Sequence, residues 1–258
     1  MTSLPNITSF HTSFQFQIIT PPPSIVQGGD GLAFFISPYD TIPDQSGGGF
    51  LGIANGTSNV SDPSRHLFAV EFDTYKNVEM NDSNNNHVGI DINGVVSTVF
   101  VNTNSSHFDL YQNSTFIVWV DYYASNTSIE VRMANITDPS SSLVTPPLQP
   151  PLLSLNYDLS TLFLDSDMFV GLSATTGLSY QGCAISSWNF SLSTTVHIQP
   201  PSSSSSSSNS TSITSQSGTN LGKIIAGIVS GVVATGVIVA LIVYRKKCCS
   251  SSSDDDEQ

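Results

Sequence analysis

The sequence predicts an all-β sandwich followed by a single transmembrane helix. Three observations predict it. Apolar segments are short and bounded by Gly, Pro, Asn and Asp clusters, several alternate apolar with polar residues, and helical spacing is almost absent. The exception is one long, overwhelmingly apolar stretch near the C-terminus, which has the length of a membrane crossing.

From His11 to Thr20 the chain alternates, with Phe14, Phe16 and Ile18 on one face and Ser13, Gln15 and Gln17 on the other, as in a half-buried strand. Pro21-Pro22-Pro23 ends it. The turn Gly28-Gly29-Asp30-Gly31 feeds Leu32 to Ser37, an apolar run suited to a core strand. Gly47 to Gly52 is glycine-rich, but neither Lys-Ser/Thr nor a helical pattern follows, so it is not a phosphate loop. Val88 to Val101 carries Asn93-Gly94, a hairpin signal. Phe116 to Tyr123 and Ser128 to Met133 are two further strands, and the prolines between Pro146 and Pro151 exclude a central strand there. Met168 to Ala174 and Ala184 to Phe190 complete the set.

Charged residues make up 10% of the 258 residues and the net charge is -13, which argues against a nucleic acid or an acidic membrane surface as partner. The three cysteines, Cys183, Cys248 and Cys249, supply neither a disulfide framework nor a Cys-based zinc site. Stability is therefore expected from a sandwich core and bound metal. Asn-x-Ser/Thr acceptors recur at Asn6, Asn55, Asn59, Asn81, Asn104, Asn113, Asn126, Asn135, Asn189 and Asn209, a density that favours a secreted surface. Met1 to Phe10 has neither the basic start nor the long apolar stretch of a secretory leader.

The most chemically loaded stretch is Glu71-Phe72-Asp73-Thr74-Tyr75-Lys76-Asn77, continued by Asp82 and His87. Glu71 and Asp73 lie two apart in an apolar strand, so both carboxylates share one face and Val70 and Phe72 the other. Carboxylates and an amide suit a hard divalent cation, and an added imidazole shifts preference toward a transition metal. Two neighbouring metals could be bridged by Asp73 and Asp82. On the residues alone, a solvated Asn/Asp/Ser turn is the competing reading.

Ala69-Val70-Glu71-Phe72-Asp73-Thr74 and His87-Val88-Gly89-Ile90-Asp91-Ile92-Asn93 resemble the metal-binding segment of legume (L-type) lectins, most closely the ectodomains of plant lectin receptor kinases. The resemblance covers about residues 11 to 193 and implies a jelly-roll sandwich. It places Mn2+, or another transition metal, on Glu71, Asp73, Asp82 and His87. Ca2+ falls to Asp73, Asp82, Asn77 and the Tyr75 carbonyl. It makes Asp30, held after a cis peptide bond, a sugar ligand beside the Gly49 N–H and the Asn77 amide, with the Tyr75 ring against the apolar face of the pyranose. Leu178 and Ser179, in the variable last loop, would face the same sugar. Calcium is expected to fix the loop rather than touch the ligand. The Asn81 acceptor, beside Asp82, is expected to be unmodified.

These readings divide the chain into a lectin-like domain, 1–199, that lacks the family's N-terminal portion, a Ser/Thr-rich stalk, 200–221, a transmembrane helix, 222–244, and a short cytoplasmic tail, 245–258. The 21 residues Ile224 to Tyr244 would span roughly 31 Å as a helix, against a hydrocarbon thickness of about 30 Å. Arg245-Lys246-Lys247 then puts the tail in the cytoplasm and the lectin-like domain outside the plasma membrane. Cys248 and Cys249 are placed for palmitoylation. No kinase motif follows. The expected function is metal-dependent binding of a glycan or glycoprotein by a single-pass receptor or co-receptor, with a second copy or a receptor kinase as candidate partner. The alternatives are a lectin-like scaffold that binds protein or an apolar ligand, and an incomplete receptor-kinase gene product. An enzyme is not expected: glycosidase carboxylates face each other across a cleft at about 5–9.5 Å, whereas neighbours on one strand edge suit metal.

Overall fold

The computed structural model describes residues 8–21, 28–56, 59–106, 108–136, 145–163, 167–177, 179–193 and 240–244. Ten strands follow in order: β1 (Ser9–Ile19), β2 (Gly31–Ser37), β3 (Phe68–Asp73), β4 (His87–Ile92), β5 (Ser97–Asn102), β6 (Thr115–Tyr123), β7 (Ser128–Ile136), β8 (Leu153–Asn156), β9 (Phe169–Thr175) and β10 (Gly182–Ser193). An eleventh, β11, spans Ala240–Tyr244. They form two antiparallel sheets, one in the order β10-β1-β6-β7-β8 and the other β11-β9-β2-β3-β4-β5. Helical structure among the described residues is limited to short 3-10 turns.

The alternation read from His11 to Thr20 is the alternation of β1. Phe10, Phe14, Phe16 and Ile18 point between the sheets, where Phe14 stacks on Phe34 at 6.2 Å and Phe16 meets Phe72 at 4.9 Å. The other sheet supplies Leu32, Phe34 and Ile36 from β2 and Phe68, Val70 and Phe72 from β3. Because strand side chains alternate, Ala33, Ala69, Glu71 and Asp73 are turned to the sheet's outer face. A second apolar cluster covers part of that face. Leu51, Ile53 and Ala54 anchor one loop to it, Met80 a second, and Val95 the β4–β5 turn. Register then aligns one end of three strands: Asp73 lies opposite Gly31 on β2 and opposite His87 on β4.

One expected element takes another form. Ala240–Tyr244, the end of the predicted membrane helix, is an extended strand paired antiparallel with β9, from Ala240 opposite Ala174 to Tyr244 opposite Val170. Hydrophobic periodicity does not separate a buried strand from a membrane helix in so short a run, and Ile242 and Val243 are β-branched. The outer edge of β9 supplies the backbone partners that settle the conformation. Among the described residues no helix is long and apolar enough to cross a membrane. The expected stalk, the rest of the membrane segment up to Val239, and the tail with Cys248 and Cys249 lie outside the described residues.

Phe16 touches both sheets and is fully buried. Phe16→Ala is expected to lower unfolding free energy by about 3–5 kcal/mol, read from the midpoint and slope of urea denaturation.

Candidate functional site

Glu71, Asp73 and His87 come together on the outer face, all buried, with one ligand atom from each within 4.8 Å of the others. β3 supplies the two carboxylates and β4 the imidazole. His87 Nε2 lies 3.2 Å from Glu71 Oε1, and Nδ1 lies 3.9 Å from Asp73 Oδ1. Phe100 meets the imidazole edge-on at 5.8 Å. Asp73 Oδ1 also accepts the Tyr75 N–H at 2.8 Å, which starts the loop that follows.

That loop closes on itself. The Asn77 carbonyl accepts from the N–H groups of Met80 and Asp82, and Asp82 Oδ2 accepts the Asn77 N–H at 2.6 Å. Buried Met80 ties it to the outer apolar cluster. Asp82 stands just outside the three-residue group but shares its electrostatics. The Asn77 side chain is buried and its Oδ1 has no hydrogen-bond partner. The backbone of Gly49 lies directly against this amide, so a Cβ there would be 2.7 Å from Asn77 Oδ1. Tyr75 is half-buried at the rim.

Asp30 approaches from the far side. Its peptide bond with Gly29 is cis, its N–H donates to Thr175 O at 2.8 Å and its carbonyl accepts from the Thr74 N–H at 2.9 Å. Asp30 Oδ2 is buried without a partner and faces Gly177, where a Cβ would intrude to 2.5 Å. Ser179 is buried against Gly29, its Oγ likewise unpartnered. Leu178 lies outside the described residues. The expected residues Asp30, Gly49, Asn77 and Ser179 are thus gathered next to the Glu71–Asp73–His87 group, with glycine backbone between the two orphaned oxygens.

Sequence reading missed the supports. Asp91 is fully buried behind Glu71, and Ser97 Oγ reaches both carboxylates, at 3.0 Å from Asp91 Oδ1 and closer to Glu71 Oε1. One hydroxyl proton serves only one acceptor at a time, and His87 Nε2, 3.2 Å from Glu71 Oε1, is a second donor available to Glu71. The period-two series His87, Gly89, Asp91 carried that signal, since all three share a face of β4. Gln181 gave none: its Oε1 accepts from Thr74 Oγ1 at 2.6 Å and from the Gly29 N–H at 3.0 Å. Tyr111 OH donates to Thr74 O at 2.7 Å and also meets Asn85 O.

Electrostatically the site is starved of positive charge. Burial pushes the Asp30 carboxyl up to about 6, helped by Asp82 and Glu79. Burial also lifts Asp82 to about 6, with the Asn77 N–H opposing. Asp73 and Asp91 are raised well above the usual carboxylate range, first by burial and then by the charge of Glu71. Burial opposes the imidazolium of His87, but the bond to Glu71 and the charges of Glu71 and Asp82 outweigh it and raise its pKa.

The profile of the legume lectin domain matches residues 2–208. The chain belongs to the legume lectin family. Its lectin domain is 37% identical over 197 residues to the L-type lectin-domain containing receptor kinase V.9 of Arabidopsis thaliana, covering 73% of this chain and 28% of that protein. Against receptor kinase IV.3 of the same plant it is 36% identical over 191 residues, covering 71% and 27%. The chain therefore spans under a third of the length of these curated relatives. Among solved legume lectins, peanut lectin with a 9mer peptide superposes with a TM-score of 0.59 at 30% identity over 76% of each chain. The Bauhinia forficata lectin in complex with GalNAc gives 0.58 at 30% identity, over 72% of this chain and 73% of that one.

Because these carboxyls are raised in the folded lectin domain, the fold in the absence of metal holds more protons than the unfolded chain between about pH 4 and 7. Their contribution is complete below the unfolded value near 3.8 and is lost as pH rises through about 6. In excess chelator, the melting temperature is expected to fall by several degrees from pH 5 to pH 7.5, and Asp82→Asn to shrink that fall.

Proposed function

We propose that this chain is a metal-dependent carbohydrate-binding protein, its sugar held among Asp30, Gly49, Asn77 and Tyr75 with Ser179 at the margin. The observation that carries this reading is the pair of buried, unpartnered oxygens, Asp30 Oδ2 and Asn77 Oδ1, on either side of half-buried glycine backbone. A buried polar atom left without a partner is costly, and two of them side by side favour a ligand and an ion as the missing partners. Asp30 supplies an acceptor for sugar hydroxyls, the Gly49 N–H and the Asn77 amide nitrogen supply donors, and the Tyr75 ring offers a face to the pyranose C–H groups.

The donor set fits two cations. Glu71, Asp73, Asp82 and His87, three carboxylates and an imidazole, suit Mn2+ or a similar transition metal. Asp73, Asp82, the Asn77 Oδ1 and the Tyr75 carbonyl, all oxygen, suit Ca2+. When bound, the ions neutralise the crowded carboxylates and stiffen the loop. The chain's own residues do the recognition. Asn77 offers its amide oxygen to the cation and its amide nitrogen to the sugar, and Thr74, bonded to Gln181 and to the Asp30 carbonyl, holds Asp30 opposite. Glu71 and Asp73 are committed to this cluster, which favours binding over hydrolysis.

The purified chain is expected to contain about two metal ions, to bind a galactose- or GalNAc-bearing support, and to lose binding on chelation and regain it with Ca2+ and Mn2+. Asp30→Ala and Asn77→Ala are each expected to weaken sugar binding by about a hundredfold or more. Retention of binding by both variants would instead favour a scaffold that recognises protein or an apolar ligand.

Plasma-membrane attachment with the lectin domain outside is proposed from the apolar character of Ile224 to Tyr244 and the basic run after it. Ala240–Tyr244 cannot pair with β9 and span a bilayer at once, so an anchored chain leaves the β9 edge. Alkaline carbonate extraction of membranes expressing the full chain is expected to leave it in the pellet. Release into the supernatant would remove the anchor from the proposal.

A further inference from the structure

At the end of β3 away from the metal group, a cavity opens on the outer face. Leu67, which lines it, precedes the strand and stands six residues before Asp73. At about 3.3 Å per residue the two places are roughly 20 Å apart. The cavity measures about 300 Å³, a size at which small-molecule sites begin. Ile53, Ala54 and Leu67, the end of the outer apolar cluster, form its apolar wall together with Pro43. Thr41 is exposed at its rim.

One turn brings two opposite charges to this cavity. Asp62 caps the 3-10 turn Pro63–Arg65, its carboxylate accepting the Ser64 N–H at 2.9 Å and the Ser64 hydroxyl at 2.8 Å, and Arg65 ends the turn. Both line the cavity. The Ser64 N–H holds the Asp62 carboxyl below the usual carboxylate range, so it is ionised near neutral pH. Arg65 is buried, and its Nη2 donates to the carbonyls of Asn55 at 3.3 Å and Asn59 at 2.6 Å. A guanidinium is charged at any working pH. A second carboxylate, Asp40, lines a small recess that shares Tyr39, Thr41 and Pro43 with the cavity. The positive charge therefore lies on the buried side and the carboxylates nearer the solvent.

We propose that this cavity binds a free α-amino acid with an apolar side chain. The carboxylate of such a molecule answers Arg65, its ammonium answers Asp62, and its apolar body lies on Ile53, Ala54 and Leu67. A simple carboxylate suits the buried cation but sets a second negative charge beside Asp62. An amine sets a second positive charge beside Arg65. A sugar offers a charge to neither. A molecule with both charges close together and an apolar remainder matches all three features.

The test uses the full chain with labelled methyl groups and L-leucine, with isoamylamine and isocaproate as the analogues that lack the carboxylate and the ammonium. Leucine is expected to shift the methyl resonances of Ile53, Ala54 and Leu67 saturably, with or without chelator, and each analogue to bind about tenfold or more weakly. Asp62→Asn keeps an acceptor for Ser64 and is expected to erase the preference for leucine over isocaproate. Thr41→Trp is expected to block the rim and abolish the shifts without altering sugar binding. Methyls unmoved up to the solubility limit of leucine overturn the proposal. So do equal binding of the three compounds, shifts that persist in Thr41→Trp, and shifts confined to residues around Asp30 and Asn77.

Discussion

The rest of the structure answers to the burial of like charge on the outer face of one sheet. Glu71 and Asp73 leave β3 on the same side, His87 faces them from β4, Asp91 sits behind, and Asp82 and Asp30 add their charge from two loops. Removing ionised carboxylates from water costs several kcal/mol each unless a counter-charge or a proton is supplied. Here the supply is one imidazole and a few hydrogen-bond donors, and burial with too little counter-charge holds these carboxyls above their usual range. A cation held among these carboxylates would relieve that shortfall.

That constraint explains the loop packing. Apolar residues on the outer face are few, yet they fall where loops must be pinned: Leu51, Ile53 and Ala54 beneath the glycine-rich loop, Met80 beneath Asn77 to Asp82. Thr74 carries three jobs, giving its hydroxyl to Gln181, its N–H to Asp30 and its carbonyl to Tyr111. Through it, the acidic loop and the Asp30 turn are tied to each other by hydrogen bonds.

How much of this was legible depended on how local each signal was. The alternation of Phe14, Phe16 and Ile18, the apolar run into Phe34 and the Asn93-Gly94 hairpin are short-range patterns, and the strands lie where those patterns place them. Glu71, Asp73 and His87 were legible because strand periodicity fixes the face of a side chain. Asp91 obeyed the same periodicity and was missed because its partner Ser97 stands across a turn whose register shifts by one residue. Gln181 was beyond reach. It meets Thr74 from 107 residues away, and no spacing rule connects them.

The apolar segment at the C-terminus marks the other limit. Ile and Val satisfy a membrane helix through side-chain hydropathy and a buried strand through β-branching, so sequence alone leaves the choice to the surroundings. What decides is where the backbone groups find partners: inside the helix when lipid surrounds it, across the ladder when a sheet edge lies open. The outer side of β9 presents such an edge, and β11 takes it. The site chemistry lies on the outer face of the other part of that sheet, and β2, buried along its whole length, stands between β3 and the border that β9 and β11 form.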